Sequence, residues 1–584
     1  MNLDKLLEHL FTDTLDASVP GFKPELTLCV TIVLMLLARL PGWGRKLNAF
    51  YIALPGVLVA LYYAAPWVLL HSLEGRTELF TGLLVYDKLT VFFRSVLLVF
   101  AVLFLLLTRL TGIPDREDSP DFYTLVLGST LGMCIMASAN HLLMVFLGVE
   151  MASVPSYALA GILKGRRQSS EAALKYAIYG AGAAGVMLYG ISLLAGALGS
   201  CHLPTMAHLL ATLPADAFAE RQTVLTLGGL MVSVGLAFKL SAFPFHFWCP
   251  DVFEGASAEV NAFLSVASKA AALGLLVRVA VGFAHVPSDM ESPAPAVEAE
   301  AATAKTKVHL VSYRAADDAD ETDTDKAEGK ADENSPAVER EEAPLAEGAV
   351  GSPGLAPVRR YLIGLITLFS AVTCTFGNLA AYSQTNIKRL LAYSTIAHAG
   401  YMMMPVVAAV ALLGDQPAEA EAAISSLAVY VSVYLFMNLG AFAIVAFLRN
   451  TMRSEEIADY SGLIYCCPGV TVCFTLILIS LIGLPPLAGF AAKFLVFGYL
   501  AASHQYLLLA IGGINTAISL FYYLRVIKVM TIDPEPEDRL PTRLPMLSLA
   551  GIYILAMTLP VVVLGVYWND LNTWAQAAAR GLLS

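Results

Sequence analysis

The sequence predicts an all-α polytopic membrane protein of about 14 transmembrane helices, built as two inverted five-helix repeats with discontinuous seventh and twelfth helices. Three observations carry this reading. Of 584 residues, 57% are hydrophobic and only 14% charged, where a soluble domain carries about 25% charged residues. Apolar blocks of about 20 residues, the length that crosses a hydrocarbon core of ~30 Å, recur with short polar joints between them. Two blocks are interrupted by Pro and Gly at corresponding places, and irregular backbone at that depth is tolerated only where it lines protein or water.

The first three blocks, 25–41, 50–71 and 87–110, form an N-terminal unit over 1–120. Met1 to Pro20 holds five charged residues and no small-residue cleavage site after an apolar run, so the first span is expected to act as its own targeting signal. Blocks 121–139, 141–163, 171–199, 222–248 and 258–285 make the first repeat, 121–285. Pro244 removes a backbone donor one turn beyond Lys239 and should break the seventh helix. Blocks 359–382, 388–413, 422–449, 464–500 and 505–529 make the second repeat, 358–529. The stretch 464–500 is too long for one perpendicular helix, and Gly483, Pro485, Pro486 and Gly489 offer a break. Five crossings per unit is an odd number, which inverts the second unit. The last block, 545–568, lies in the C-terminal unit 530–584.

Net charge is −11, and all of it sits in one segment. Residues 286–357 carry 17 Asp/Glu and 6 Lys/Arg, leaving 30 of each sign elsewhere. Rich in Ala, Pro, Glu and Asp, that segment cannot bury enough surface to fold and reads as a flexible insertion between the repeats. The eight cysteines form no C-x-x-C pair and make no case for iron–sulfur, zinc or disulfide chemistry. Joints after odd-numbered spans hold sixteen Lys/Arg, whereas the short joints after even-numbered spans hold only Arg76 and Arg221. By the positive-inside rule the odd joints are cytoplasmic and both termini and the acidic insertion lie outside.

Four lysines and one glutamate within these spans point to ion movement, because charge at mid-bilayer costs roughly 2.5–3.5 kcal/mol per residue and normally faces a protein interior or a water-filled path. Glu150 lies near the middle of the fifth span. A buried carboxylate beside a lysine can be tuned by moving that lysine, which is what a proton switch requires. Lys175, one turn inside the sixth span, can snorkel to water or pair with Glu150 or with Glu171 four residues earlier. Lys239 precedes the predicted break and reads as a relay station. Lys269 is nearly central in the eighth span, with Ser265 and Ser268 on the preceding turn. His398 follows Lys388 by ten residues, about 15 Å along a helix, and histidine titrates nearest neutrality. Lys388 itself reads as an interfacial anchor, and Lys493 sits just past the break in the twelfth span.

Several stretches together resemble subunit N of bacterial NADH-quinone oxidoreductase, respiratory complex I. They are the Glu150 stretch from His141 to Tyr157, Lys175-Tyr-Ala-Ile-Tyr-Gly-Ala, Phe243-Pro-Phe-His-Phe-Trp-Cys-Pro-Asp-Val-Phe-Glu-Gly-Ala256, Ala262-Phe-Leu-Ser-Val-Ala-Ser-Lys-Ala and the run from Asn386 to Tyr401. The resemblance covers all but the insertion. Subunits L and M and the related cation/proton antiporters differ after the seventh helix, and the short tail argues against subunit L. The resemblance implies a fourteen-helix antiporter-like subunit of a bacterial inner (plasma) membrane complex. It would move protons while partner subunits hold NADH, FMN, iron–sulfur clusters and quinone, with no cofactor or metal in this chain and no nucleic acid. It further implies that Glu150 and Lys175 are the family's acid–lysine pair, Lys239 and Lys269 the central relay, His398 the family's histidine and Lys493 the exit-side lysine. Ser257-Ala-Glu259 departs from the family's Pro-Thr-Pro, and the acidic insertion is unusual; by position both bear on assembly more than on the proton path. A stand-alone cation/proton antiporter is the alternative, and a non-catalytic scaffold for the membrane arm is a third.

Overall fold

The structure is a computed structural model that describes residues 11–40, 48–73, 75–114, 118–287, 353–536 and 544–583. The acidic insertion falls almost wholly at 288–352, outside the described residues. Each of the fourteen apolar blocks contains helix. The helices that matter below are α1 (Lys23–Leu37), α2 (Phe50–Ala64), α3 (Lys88–Thr111), α4 (Ser119–Ser138), α5 (Leu142–Ala160), α6 (Arg167–Leu198), α7 (Ala215–Leu240), α8 (Trp248–Gly255) and α9 (Ala258–Ala284). They continue with α10 (Ala356–Ala381), α11 (Ile387–Leu412), α12 (Pro417–Met452), α13 (Pro468–Ile482), α14 (Ala488–Ala502), α15 (Tyr506–Thr531) and α16 (Leu549–Val566). Among the described residues, eleven helices are individually long and apolar enough to cross a membrane.

The helices sort into a buried centre and a lipid-facing rim. In α9, α11 and α12 the apolar window is 100%, 94% and 89% buried, against 33% in α10, α15 and α16. A helix buried all round in a membrane must pack through small residues, because lipid offers no hydrophobic drive between helices. Gly377 on α10 and Gly400 on α11 show this: a Cβ at Gly400 would stand 2.6 Å from the Cys374 backbone nitrogen, and one at Gly377 equally close to that of Ala397. Starts of two of the three central helices, α9 and α11, are set by side-chain caps. Ser257 Oγ accepts from Val260 N at the head of α9, and Asn386 Oδ1 accepts from Lys388 N and Arg389 N at the head of α11.

Two opposite faces collect the joints. Arg166, Glu254, Asn386, Arg449 and Arg453, from four odd-numbered joints, line one polar cavity. The other face carries a hairpin, β1 (Thr77–Leu79) paired antiparallel with β2 (Leu84–Tyr86). Glu78 on β1 is held by His202 at 3.0 Å and by Arg76 at 3.2 Å, and Asn140 donates to it at 2.9 Å. Burial pushes the Glu78 carboxyl up, but the His202 hydrogen bond and charge, followed by Arg76 and Asn140, outweigh it and hold the group below its ordinary value. Nearby, Asp87 caps α3 and forms a buried two-pronged pair with Arg278 of α9, each N–O distance being 2.5 Å.

Both expected breaks are present. The first comes earlier than Pro244 alone suggests: α7 ends at Leu240, and Ser241 takes a left-handed conformation with φ 56°. The residue before a proline is disfavoured in helical geometry, so Phe243 cannot continue the helix and unwinding begins two residues sooner. The second break runs from Gly483, φ 89°, to Leu487, between α13 and α14.

Candidate functional site

A helix that ends inside a membrane leaves backbone carbonyls without partners, and in lipid each must be satisfied from within the protein. At the first break, Ser241 N and Ala242 N return to Ala237 O and Trp248 Nε1 donates to Phe238 O at 3.1 Å. The carbonyl one residue before the helix end is taken by a lysine: Lys269 Nζ donates to Lys239 O at 3.1 Å and to the Ser241 hydroxyl, with the Trp248 ring centroid 5.0 Å away. The second break repeats the device. Lys493 Nζ donates to Ile482 O at 2.8 Å and Leu481 O at 3.3 Å, and lies 4.4 Å from the Tyr401 ring centroid. The negative end of a helix dipole and an aromatic face are what replace water around a buried ammonium.

Lys239, Lys269, His398 and Lys493 are all buried. Lys239 Nζ donates to Ser153 Oγ at 3.0 Å and is within electrostatic range of both Lys269 and Glu150. Glu150 is half-buried on α5. Tyr157 and Tyr176 lie within its electrostatic range; their ring centroids are 4.6 Å apart and Tyr176 stacks on Trp248 at 4.1 Å, so an aromatic layer runs from that region to the Lys269 pocket.

His398 is the centre of a second cluster. Its Nδ1 lies 2.9 Å from the Tyr430 hydroxyl and its Nε2 lies 3.5 Å from that of Tyr523, which bonds Ser394. One turn earlier, the Tyr434 hydroxyl donates to Thr395 Oγ1 at 3.2 Å and Asn438 Nδ2 reaches the same oxygen at 3.4 Å. Cys249 lies within electrostatic range of both Lys269 and Tyr434, and Lys493 within range of His398. Ser268 Oγ and Asn438 Oδ1 are buried without a hydrogen-bond partner. Such groups in native interiors mark positions where water belongs.

Two expectations need correcting. Glu150 and Lys175 are not brought into contact: Lys175 Nζ pairs with Asp251 at 2.7 Å and Glu171 at 3.0 Å. The open alternative at four-residue spacing is the one that forms, because both partners lie at the polar mouth of the helix. Asp251, missed as a partner although it stands in a quoted stretch, also bonds Arg389 at 3.1 Å, tying α6, α8 and α11 together. Lys388 is not an interfacial anchor. It is 3% exposed and turns inward, donating to Ala256 O at 2.9 Å and pairing with Glu455 at 2.8 Å. The tyrosines around His398 carried no sequence signal beyond aromatic content; only packing of α11, α12 and α15 reveals them.

The family described as "NADH:quinone oxidoreductase/Mrp antiporter, TM" matches residues 139–293 and 355–519. NADH-quinone oxidoreductase subunit N of Anaeromyxobacter sp. (strain Fw109-5) is 34% identical over 578 residues, covering 96% of each chain. Subunit N 2 of Sorangium cellulosum (strain So ce56) is 35% identical over 570 residues, covering 95% of this chain and 96% of that one. A chain of respiratory complex I from Thermus thermophilus with bound aureothin superposes with a TM-score of 0.65 and 26% identity, covering 94% of this chain and 98% of that one. The fold alone is also shared with a chain of the Mrp complex from Dietzia sp. DQ12-45-1b, at 18% identity, a TM-score of 0.69 and coverage of 97% and 98%. With a family match over more than half its length and relatives aligned nearly end to end, this chain belongs to the subunit N branch of the NADH:quinone oxidoreductase/Mrp antiporter family.

Proposed function

We propose that this chain is the proton-translocating membrane-arm subunit N of a bacterial NADH-quinone oxidoreductase, coupling electron transfer in partner subunits to proton movement across the inner membrane. NADH, FMN, iron–sulfur clusters and quinone belong to those partners; this chain contributes only titratable side chains. Residues 121–285 and 358–529 act as two inverted units, and the arginine-rich face is cytoplasmic, with both termini on the other side. The observation that carries the reading is the row Lys239, Lys269, His398 and Lys493: all four are buried, Lys269 bonds the Lys239 carbonyl and the Ser241 hydroxyl, Lys239 bonds Ser153, and His398 sits among Tyr430 and Tyr523 within electrostatic range of Lys493.

An electrostatic change from a neighbouring subunit alters the field at Glu150, and with it the proton affinity of Lys239. The Lys175–Asp251–Arg389 network sets where α8 stands during that change. Lys239 passes its proton to the Lys269 pocket, whence it crosses by water and the His398 cluster to Lys493. One pKa unit corresponds to about 1.4 kcal/mol, so rearrangements of a few kcal/mol suffice for each step. A stand-alone exchanger is disfavoured by relatives that match end to end under the subunit N name. Lys239→Ala and Glu150→Ala are expected to abolish NADH-driven acidification in proteoliposomes while the complex still co-purifies. Native pumping in an assembled variant removes that residue from the path.

A further inference from the structure

The polar cavity on the arginine-rich face has a volume of about 700 Å³, and Glu455 forms part of its lining. Glu455 is 19% exposed and clamps two cations, Lys388 Nζ at 2.8 Å and Arg449 Nε at 3.2 Å. Behind Lys388 lies Glu259, the second residue of α9. It is 1% exposed, its Oε2 has no hydrogen-bond partner, and its charge reaches Lys388. Among the described residues, then, four charged groups meet beneath the cavity, and three are tied to one another by direct ion pairs while Glu259 is in none.

That difference sets Glu259 apart from the other three. With Glu259 ionised the four sum to zero, two cations against two anions. A proton added to Glu455 would break two ion pairs, whereas one added to Glu259 Oε2 breaks no contact. Burying a carboxylate without a hydrogen bond on one oxygen is costly, so a static counter-ion would be built with that oxygen paired. The route onward is also polar. Thr395 lies seven residues beyond Lys388 on α11, two turns on the same helix face and about 10.5 Å along it. At that level Asn438 Oδ1 is buried and unpartnered, as is Asn261 Oδ1 at the head of α9, so water has acceptors at both levels.

We propose that Glu259 is the proton-loading group of this chain on its arginine-rich face. Its carboxylate takes a proton from water admitted past Glu455, forming an O–H bond at Oε2, and releases it along the Asn438–Thr395 track to His398, returning to the carboxylate. This rests on the proton-moving reading above, and it gives a transport role to the position where the sequence departs from its family.

The test uses the assembled complex in proteoliposomes, reading NADH-driven acidification and coupled NADH:quinone turnover from pH 6 to 9. Glu259→Gln keeps shape and removes the titrating group; it is expected to cut pumping at least fivefold, with the ratio to native falling as pH rises and protons become scarce. Glu259→Asp keeps a carboxyl and is expected to be intermediate, with its alkaline limb displaced. Lys388, which lies in electrostatic range of Glu259, is unchanged in both, as are Glu455, which pairs with Lys388, and Arg449, which pairs with Glu455. Native pumping in Glu259→Gln overturns the proposal, as does an equal loss in both variants with an unshifted pH profile, which marks a packing role. If Glu259→Gln fails to co-purify, a native rate and profile in Glu259→Asp overturns it. Lys269→Ala runs alongside: if it abolishes pumping while Glu259→Gln does not, only the loading role fails. If both pump normally, the proton-moving reading falls too.

Discussion

Lys269 does two things that substitution can separate. Lys269→Met withdraws the donor from Lys239 O and the Ser241 hydroxyl, both buried, and removes an ammonium from the Trp248 face. Stranding a buried polar group costs about 1–3 kcal/mol, and a desolvated cation–π contact contributes ~2 kcal/mol, so the polar losses sum to roughly 4–8 kcal/mol. Against this stands the relief of several kcal/mol from no longer burying a charge. The two nearly cancel. The Met variant is therefore expected to assemble and to melt within a few degrees of the native complex, while an uncharged side chain stops proton transfer. Because tenfold in rate is only about 1.4 kcal/mol, the pumping assay resolves what the melting curve does not. Lys269→Gln can still cap Lys239 O and cannot carry a proton; it should restore any lost melting temperature and no pumping. Pumping at the native rate in an assembled Gln variant would refute the relay role outright.

Other expectations concern the scaffold. Gly483→Ala puts a side chain at φ 89° with its Cβ 2.8 Å from Lys493 Cδ, a strain of about 1–3 kcal/mol; the ammonium must leave its carbonyls, and pumping should fall several-fold in a complex that still co-purifies. Arg278→Leu leaves Asp87 buried without its cation and should cost about 3–5 kcal/mol, read as lost thermal stability, most of which returns when Asp87→Asn is added. For Glu78 the sign follows from its depressed pKa. The hairpin clamp is fully present above the ordinary carboxylate value of about 4.3, and is lost as pH falls through the lower folded value. Hydrogen exchange of residues 77–86 should therefore rise only below about pH 4, and Glu78→Gln should remove that dependence.

The architecture was legible because the bilayer imposes length and apolarity on every crossing, and because Pro244, Gly483 and the Pro485-Pro486 pair punctuate two of them. The lysines were legible because charge has no business in hydrocarbon unless used. Their partners were not. Ser153 lies 86 residues from Lys239, and Asp251 lies 76 from Lys175; no local spacing encodes either pair. Helices α9, α11 and α12 are buried on all sides, so they show no polar stripe to say which neighbour each side faces. Glu259 leaves a trace in the sequence, as a carboxylate opening an apolar run at a helix joint, but its burial within electrostatic reach of Lys388 is a property of the fold alone.

Both central lysines that stand at a break hold the frayed tip of a helix, and Lys269 grips the peptide oxygen of Lys239 itself. An ammonium grips such an oxygen with a charge-assisted bond about twice as strong as a neutral one. When the proton leaves Lys269, the grip slackens, and Lys239, the residue before it in the row, is carried on the very backbone that is let go. Discharge of Lys269 would thus be mechanical as well as electrical: it unlatches the strand of chain on which its own donor rides, so a conformational signal passes back to Lys239 as the proton moves on.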